Sequence, residues 1–245
     1  MGKGKLEKFN EMKGFDHVIQ APYHSIEKDD FHLKNKWVQE FFKNANPLIL
    51  ELGCGKGEYT VELAAKNPDV NYIGVDIKGA RLWKGAKLAL QRGLKNVAFL
   101  RTNIEIIGQF FGENEVSEIW LTFPDPQMKK TRKRLTSTVF LNKYRNFLKP
   151  DGLIHLKCDS NFQYTYTRAL ALLNQFEIVA DTDNVYDWEH LNDTLRIRTF
   201  YEKQWLDRGI TIKYIAFKLH DGEYQEPNIE IEKDEYRSFG RSARE

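Results

Sequence analysis

Cysteine is scarce: the 245 residues contain two, Cys54 and Cys158. Each sits in a strand-end motif rather than at disulfide or metal spacing, which excludes a disulfide scaffold and fits a reducing compartment. No two of the six histidines share a helical face and no Cys/His set has zinc spacing, so no metal is expected. No stretch approaches the roughly 18 to 20 uninterrupted apolar residues of a membrane helix. The opening MGKGKLEKFNEMKGF lacks the apolar core of a signal peptide, so a cytoplasmic protein without a membrane partner is expected. There is no G-x-x-x-x-G-K-[ST] loop and no G-x-S-x-G elbow, which argues against P-loop nucleotide hydrolysis and serine esterase chemistry. A strong charge of one sign is missing too, but the net +2 hides basic clusters offset by an acidic C-terminal stretch.

What is present is a hydrophobic content of 41%, enough at this length for one α/β domain with a full core. Residues 1–30, with Lys3, Lys5, Lys8 and Lys13 and no clear apolar period, read as a mobile basic arm. From His32 to Lys43, Leu33, Trp37, Val38, Phe41 and Phe42 fall at helical spacing. Short apolar runs follow at Pro47–Leu52, Val70–Ile77, Asn96–Arg101, Val116–Phe123, Leu153–Cys158 and Ile210–Leu219, mostly separated by helix-length amphipathic segments. That alternation predicts an α/β fold over residues 31–220, a largely parallel sheet with helices on both faces. Residues 221–245 read as a polar tail.

The first of these strands runs into Glu51-Leu52-Gly53-Cys54-Gly55-Lys56-Gly57, with a helix starting near Glu58. The glycines allow a sharp turn and close approach to a ligand. A dinucleotide fingerprint would need glycine where Glu58 stands, and a carboxylate there repels a pyrophosphate at the helix start, which disfavours a nicotinamide dehydrogenase. Glu51 suits the cationic amino-acid part of a cofactor, Asp76 at the next strand end can accept both hydroxyls of a ribose, and Asn103 at the third can bond an adenine. S-adenosylmethionine carries all of these groups and no phosphate. Taken singly, Glu51 could be a solvated charge, Asp76 a helix cap and Asn103 a turn former; together they meet at the crevice where open α/β sheets bind ligands.

The fourth strand ends in Phe123-Pro124-Asp125-Pro126, where the flanking prolines restrict the aspartate. Lys129-Lys130-Thr131-Arg132-Lys133-Arg134 follows on the same edge and reads as a phosphate-binding loop.

These motifs, with Leu156-Lys157-Cys158-Asp159 and Thr199-Phe200-Tyr201-Glu202, resemble in order those of the bacterial tRNA (guanine-N7)-methyltransferases, over roughly residues 32–219. The resemblance implies a Rossmann-like class I methyltransferase with a mostly parallel seven-stranded sheet. It implies S-adenosylmethionine as methyl donor, held by Glu51, Gly53, Gly55, Gly57, Asp76, Asn103 and Asp125. It implies Asp125 as the catalytic residue, Lys129, Asp159, Thr199 and Glu202 as substrate contacts, and N7 of the variable-loop guanine of tRNA as the acceptor. This chain departs from the family pattern at Gln127-Met128, where a tryptophan and a proline are common, and in a basic loop about two residues shorter.

The chemistry agrees on separate grounds. N7 of guanine has an exposed lone pair, so Asp125 is assigned to positioning and electrostatic stabilisation of the charging purine rather than to general-base catalysis. Glu202 can accept from guanine N1 and N2. Tyr164, Tyr166 and Tyr201 are candidates for base stacking or for the core. The rival readings are a methyltransferase of this fold acting on another RNA base or a protein glutamine, and a non-catalytic RNA-binding protein on the same fold. Monomer and homodimer are both open on this reading.

Overall fold

A computed structural model describes residues 3–21 and 31–238; the other parts of the arm and tail lie outside the described residues. Strand β2 (Leu48–Leu52) is buried at every position, as is β3 (Asn71–Val75), and both lie at the centre of the sheet. Around them lie β4 (Val97–Arg101), β5 (Val116–Thr122) and β6 (Leu148–Cys158). All pair in parallel, because the crossovers α2 (Glu58–Lys66), α3 (Gly79–Gln91) and α4 (Thr138–Arg145) return the chain to the same end. Helix α5 (Asn161–Leu173) leads from β6 to β7 (Glu177–Thr182), and α6 (Phe200–Leu206) precedes β8 (Lys213–Lys218). Strands β7 and β8 are antiparallel to each other, and β8 is antiparallel to β6.

The sheet has eight strands rather than seven, in the order β1-β4-β3-β2-β5-β6-β8-β7. The extra strand is β1 (Val18–Gln20), which extends the parallel part beside β4. It falls within the stretch expected to be a mobile arm, as does α1 (Lys3–Met12). Contacts with α3 and the end of β4 hold α1 down. Phe9 packs against Gly79, where a Cβ would find no room, the Arg101 guanidinium lies 4.4 Å from the centre of the Phe9 ring, and Glu11 takes the Trp83 indole N–H at 2.7 Å and pairs with Lys87 at 3.0 Å. The amphipathic segment near residue 40 forms a shorter π-helix, Trp37–Phe42, with Trp37 fully buried.

Apolar side chains cover both sheet faces in two clusters, one around Trp37, Leu50 and Phe217 and the other around Tyr59, Phe99 and Trp120. The chain order reverses between β2 and β5, so the loops leaving these two neighbouring strands flank the crevice at the carboxyl edge. The polar tail is also tied down. Glu226 accepts from the Thr138 amide at 2.9 Å and hydroxyl at 2.7 Å. The buried Asp234 accepts from the Phe162 amide at 3.1 Å, at the start of α5.

Candidate active site

The glycine loop turns because Gly53, Gly55 and Gly57 all take positive φ, at 82°, 58° and 68°. Its amides are aimed by the neighbouring strand end: Gly53 and Cys54 donate to the Val75 carbonyl, and Gly55 donates to Asp76 Oδ2 at 3.0 Å. Asp76 Oδ1 accepts from the Lys78 amide at 2.6 Å, leaving the half-buried carboxylate at the loop's rim. Asn103 caps the short helix Ile104–Gln109, its Oδ1 accepting from the Glu105 amide at 3.0 Å. Asp76, Asn103 and the glycine loop therefore stand on three adjacent strand ends, β3, β4 and β2.

Glu51, two residues before Gly53, points into the core. It is 3% exposed and accepts from the Thr60 amide at 2.8 Å and from the hydroxyls of Thr60 and Thr122, so it ties β2 to the first turn of α2 and to the end of β5. Burial pushes its carboxyl up to about 7, against the pull of the Thr122 and Thr60 hydrogen bonds. The folded state thus holds this proton longer than the unfolded chain, and its contribution to stability is lost as pH rises through about 7. A bound cation reverses the preference and favours the ionised form. S-adenosylmethionine affinity is therefore expected to rise by about fifteenfold between about pH 5.5 and 7, read by calorimetric titration, and to lose that slope in Glu51→Gln.

Asp125 is exposed on a turn with unusual backbone on both sides: φ is 51° at Phe123 and 46° at Gln127. Its Oδ1 accepts from the Gln127 amide at 3.0 Å. The turn is braced by Arg134, which is buried, donates to the carbonyls of Pro126 and Met128 at 3.2 Å each, and packs on the rings of Phe162 and Tyr166. Arg134 thus leaves the expected phosphate-binding set. Lys133 pairs with Glu105 at 3.5 Å, while Lys129, Lys130 and Arg132 are exposed.

Two expected substrate contacts are placed differently from their expectation. Asp159 is fully buried, its Oδ2 accepting from the Tyr236 hydroxyl at 2.8 Å and its carbonyl from Lys213 Nζ at 3.4 Å. Glu202, expected to face a guanine, is fully buried against Lys157 at 2.8 Å and takes the Tyr186 hydroxyl at 2.6 Å. Thr199 caps α6 in a reciprocal capping box with Glu202. The exposed members of that segment are Phe200 (47%) and Tyr201 (37%). They lie beside the glycine loop: Lys56 Nζ is 3.5 Å from the Phe200 ring centre, and the Phe200 amide donates to Glu58 at 2.8 Å. Tyr166 is buried and Tyr164 donates to Asp181, so of the three tyrosines only Tyr201 faces outward.

The donor set fits S-adenosylmethionine: a carboxylate at the rim for a ribose, an amide acceptor-donor pair for an adenine, and a buried carboxyl under a glycine turn for a cationic amino acid. Among the described residues no group of three or more His, Cys, Asp and Glu could hold a metal, and no helix is long and apolar enough to cross a membrane.

Residues 45–215 match the family model described as "Putative methyltransferase". Over its full length the chain is 58% identical to the tRNA (guanine-N(7)-)-methyltransferase of Bacteroides thetaiotaomicron, covering 97% of that protein. It is 55% identical to the enzyme of the same name from Porphyromonas gingivalis, over 95% of this chain and 98% of that one. The chain belongs to the tRNA (guanine-N(7)-)-methyltransferase family. Among solved structures, the 16S rRNA methyltransferase KamB superposes with a TM-score of 0.58 at 12% identity, over 75% of this chain and 93% of that one. An antibiotic-related methyltransferase gives 0.56 at 18%, over 80% and 100%. At these identities the likeness is one of fold, the class I methyltransferase fold.

The family motifs locate Glu51, Asp76, Asn103 and Asp125 but not the residues that hold them. Thr60 and Thr122 escaped sequence reading because nothing in their local pattern marks a partner, and Arg134 read as a phosphate contact because it ends a basic run. Lys157 did carry a signal, a charged residue inside the otherwise apolar run Leu153–Cys158, which calls for a buried partner.

Proposed function

We propose that this protein transfers a methyl group from S-adenosylmethionine to N7 of guanine in tRNA, at the variable-loop guanine, in the cytoplasm. The observation that carries the reading is the exposed, doubly braced Asp125 at the switch-point crevice, between the glycine loop and a basic loop with three outward cations.

When bound, S-adenosylmethionine supplies an electrophilic methyl on a sulfonium. The chain's own residues do the rest. Asp76 and Asn103 hold the nucleoside end, and Glu51 sets the charge beneath the loop. Asp125 is held at the rim without a proton to remove, because the N7 lone pair attacks directly. Its carboxylate faces the purine as positive charge develops there, and a negative group fixed in advance lowers the barrier without reorganising. Phe200 and Tyr201 offer aromatic faces for a base, a surface that Gln127 cannot supply. Lys129, Lys130 and Arg132 contact the RNA backbone.

Three such contacts imply a moderate salt dependence. Log affinity for tRNA should fall against log salt with a slope of about −2 to −3, and the Lys129→Ala/Lys130→Ala/Arg132→Ala variant should lose most of it, read by filter binding. A slope unchanged in the triple variant would move the RNA footprint elsewhere.

The reading is tested with transcripts. A tRNA transcript made with 7-deazaguanosine, which has carbon at position 7, should accept no methyl group. One in which only the variable-loop guanine is replaced by adenine should lose acceptance equally. Methyl transfer to the deaza transcript would refute N7 as the acceptor.

A further inference from the structure

One buried side chain ties residues 194–202 to the sheet. Lys157 lies in β6 opposite Thr122 of β5, and its carbonyl accepts the Phe123 amide at 2.8 Å, two residues before Asp125. Its ammonium is fully buried and turns the other way, donating to the carbonyls of Leu195 at 2.7 Å and Ile197 at 2.9 Å and pairing with Glu202. Burial pulls the Lys157 ammonium down from the ordinary lysine range while Glu202 holds it up, and three acceptors, two carbonyls and a carboxylate, surround its three N–H donors. Further ties fix the same segment from α2: the Tyr59 hydroxyl donates to the Thr194 carbonyl at 2.9 Å and Glu58 takes the Phe200 amide. Residues 194–202 are thereby bound both to the helix that follows the glycine loop and to the strand that carries the backbone of the Asp125 turn. Within Thr199–Glu202 the work divides, since the two ends are buried anchors and the two middle residues are exposed.

We propose that Lys157 is a positioning residue: through Leu195, Ile197 and Glu202 it sets Phe200 and Tyr201 against the glycine loop, and Glu202 serves as the anchor of this segment rather than as a reader of the base. The inference rests on the proposed function, in which that segment meets the guanine.

The test separates positioning from folding. Lys157→Met alone leaves Glu202 buried as an unpaired charge, whereas Lys157→Met/Glu202→Met removes both charges at similar volume and leaves only neutral groups, the Leu195 and Ile197 carbonyls and the Tyr186 hydroxyl, without their partner. The double variant is expected to keep the parent's affinity for S-adenosylmethionine and to melt below the parent but above Lys157→Met. Its KM for tRNA should rise about tenfold or more, because a displaced platform costs orientation. Amide hydrogen exchange should quicken over residues 194–206 and stay unchanged in β2 to β5. Glu202→Gln, which keeps shape and one acceptor, should give the same pattern at smaller amplitude and serves if the double variant does not fold. A parental KM for tRNA together with parental exchange over 194–206, in whichever variant folds, would overturn the proposal. If the parent protein methylates no tRNA, the functional reading falls with it, while exchange still reports whether Lys157 orders the segment.

Discussion

Asp125→Ala is expected to lower kcat for tRNA methylation by about 10²- to 10³-fold, with S-adenosylmethionine affinity reduced less than about tenfold. The size follows from what the side chain does. Asp125 is not buried in a network whose loss would unfold the domain; it stands exposed on a turn whose shape is held by two prolines, by Arg134 and by the Phe162 and Tyr166 rings. Removing the carboxylate leaves that frame standing and deletes the charge proposed to face the purine. Asp125→Asn separates charge from shape, since the amide oxygen can still accept from the Gln127 backbone as Oδ1 does now. An activity loss in Asn close to that in Ala identifies charge as the contribution; near-parental activity in Asn would assign Asp125 to turn geometry instead.

Gly57→Ala is expected to cost far more stability than one methyl group on an exposed turn. A Cβ at Gly57 would stand 2.6 Å from a ring carbon of Phe99 and 3.1 Å from the Gly85 backbone, and φ there is +68°. Phe99 is fully buried in β4, and Gly85 on α3 meets the Lys56 carbonyl at 2.7 Å from its own ideal Cβ, so neither neighbour can step aside. Overpacking and a left-handed backbone together cost about 3 kcal/mol, a fall of roughly 10 °C in melting temperature for a chain of this size. The loop that carries Gly53 and Gly55 shifts with it, so cofactor binding falls as well. Gly93 is the control: it shares the positive φ, at +65°, but nothing lies within 4 Å of its Cβ. Gly93→Ala should cost about 1 kcal/mol and leave cofactor binding intact, as measured by thermal unfolding and titration. Equal losses in the two variants would show that φ alone, not close packing of the loop, explains the glycine at position 57.

The central strands were legible because each is a continuous apolar run buried on both faces, and the glycine loop and Asp125 follow from where those runs end. Strand β1 was not legible, since three residues carry no period and its pairing with β4 is made by contacts some eighty positions away in the chain. Strand β7 is an edge strand, half-exposed along its length, so Glu177–Thr182 carries no long apolar run to mark it. At the site, residue type gave position but not burial. Glu202 and Asp159 look like ligands because they are carboxylates in family motifs; their partners Lys157, Tyr186 and Tyr236 are remote in sequence and become neighbours only in the fold. Arg134 misled for the same reason, a cation in a basic run that turns inward to brace the loop it belongs to.

The central claim, methyl transfer to guanine N7 of tRNA, is tested most directly by incubating the protein with labelled S-adenosylmethionine and tRNA lacking this modification, then digesting the RNA and separating its nucleosides. Label is expected in 7-methylguanosine alone, with its loss in Asp125→Ala. Label in another methylated nucleoside, or none in a protein that binds the cofactor, would contradict it.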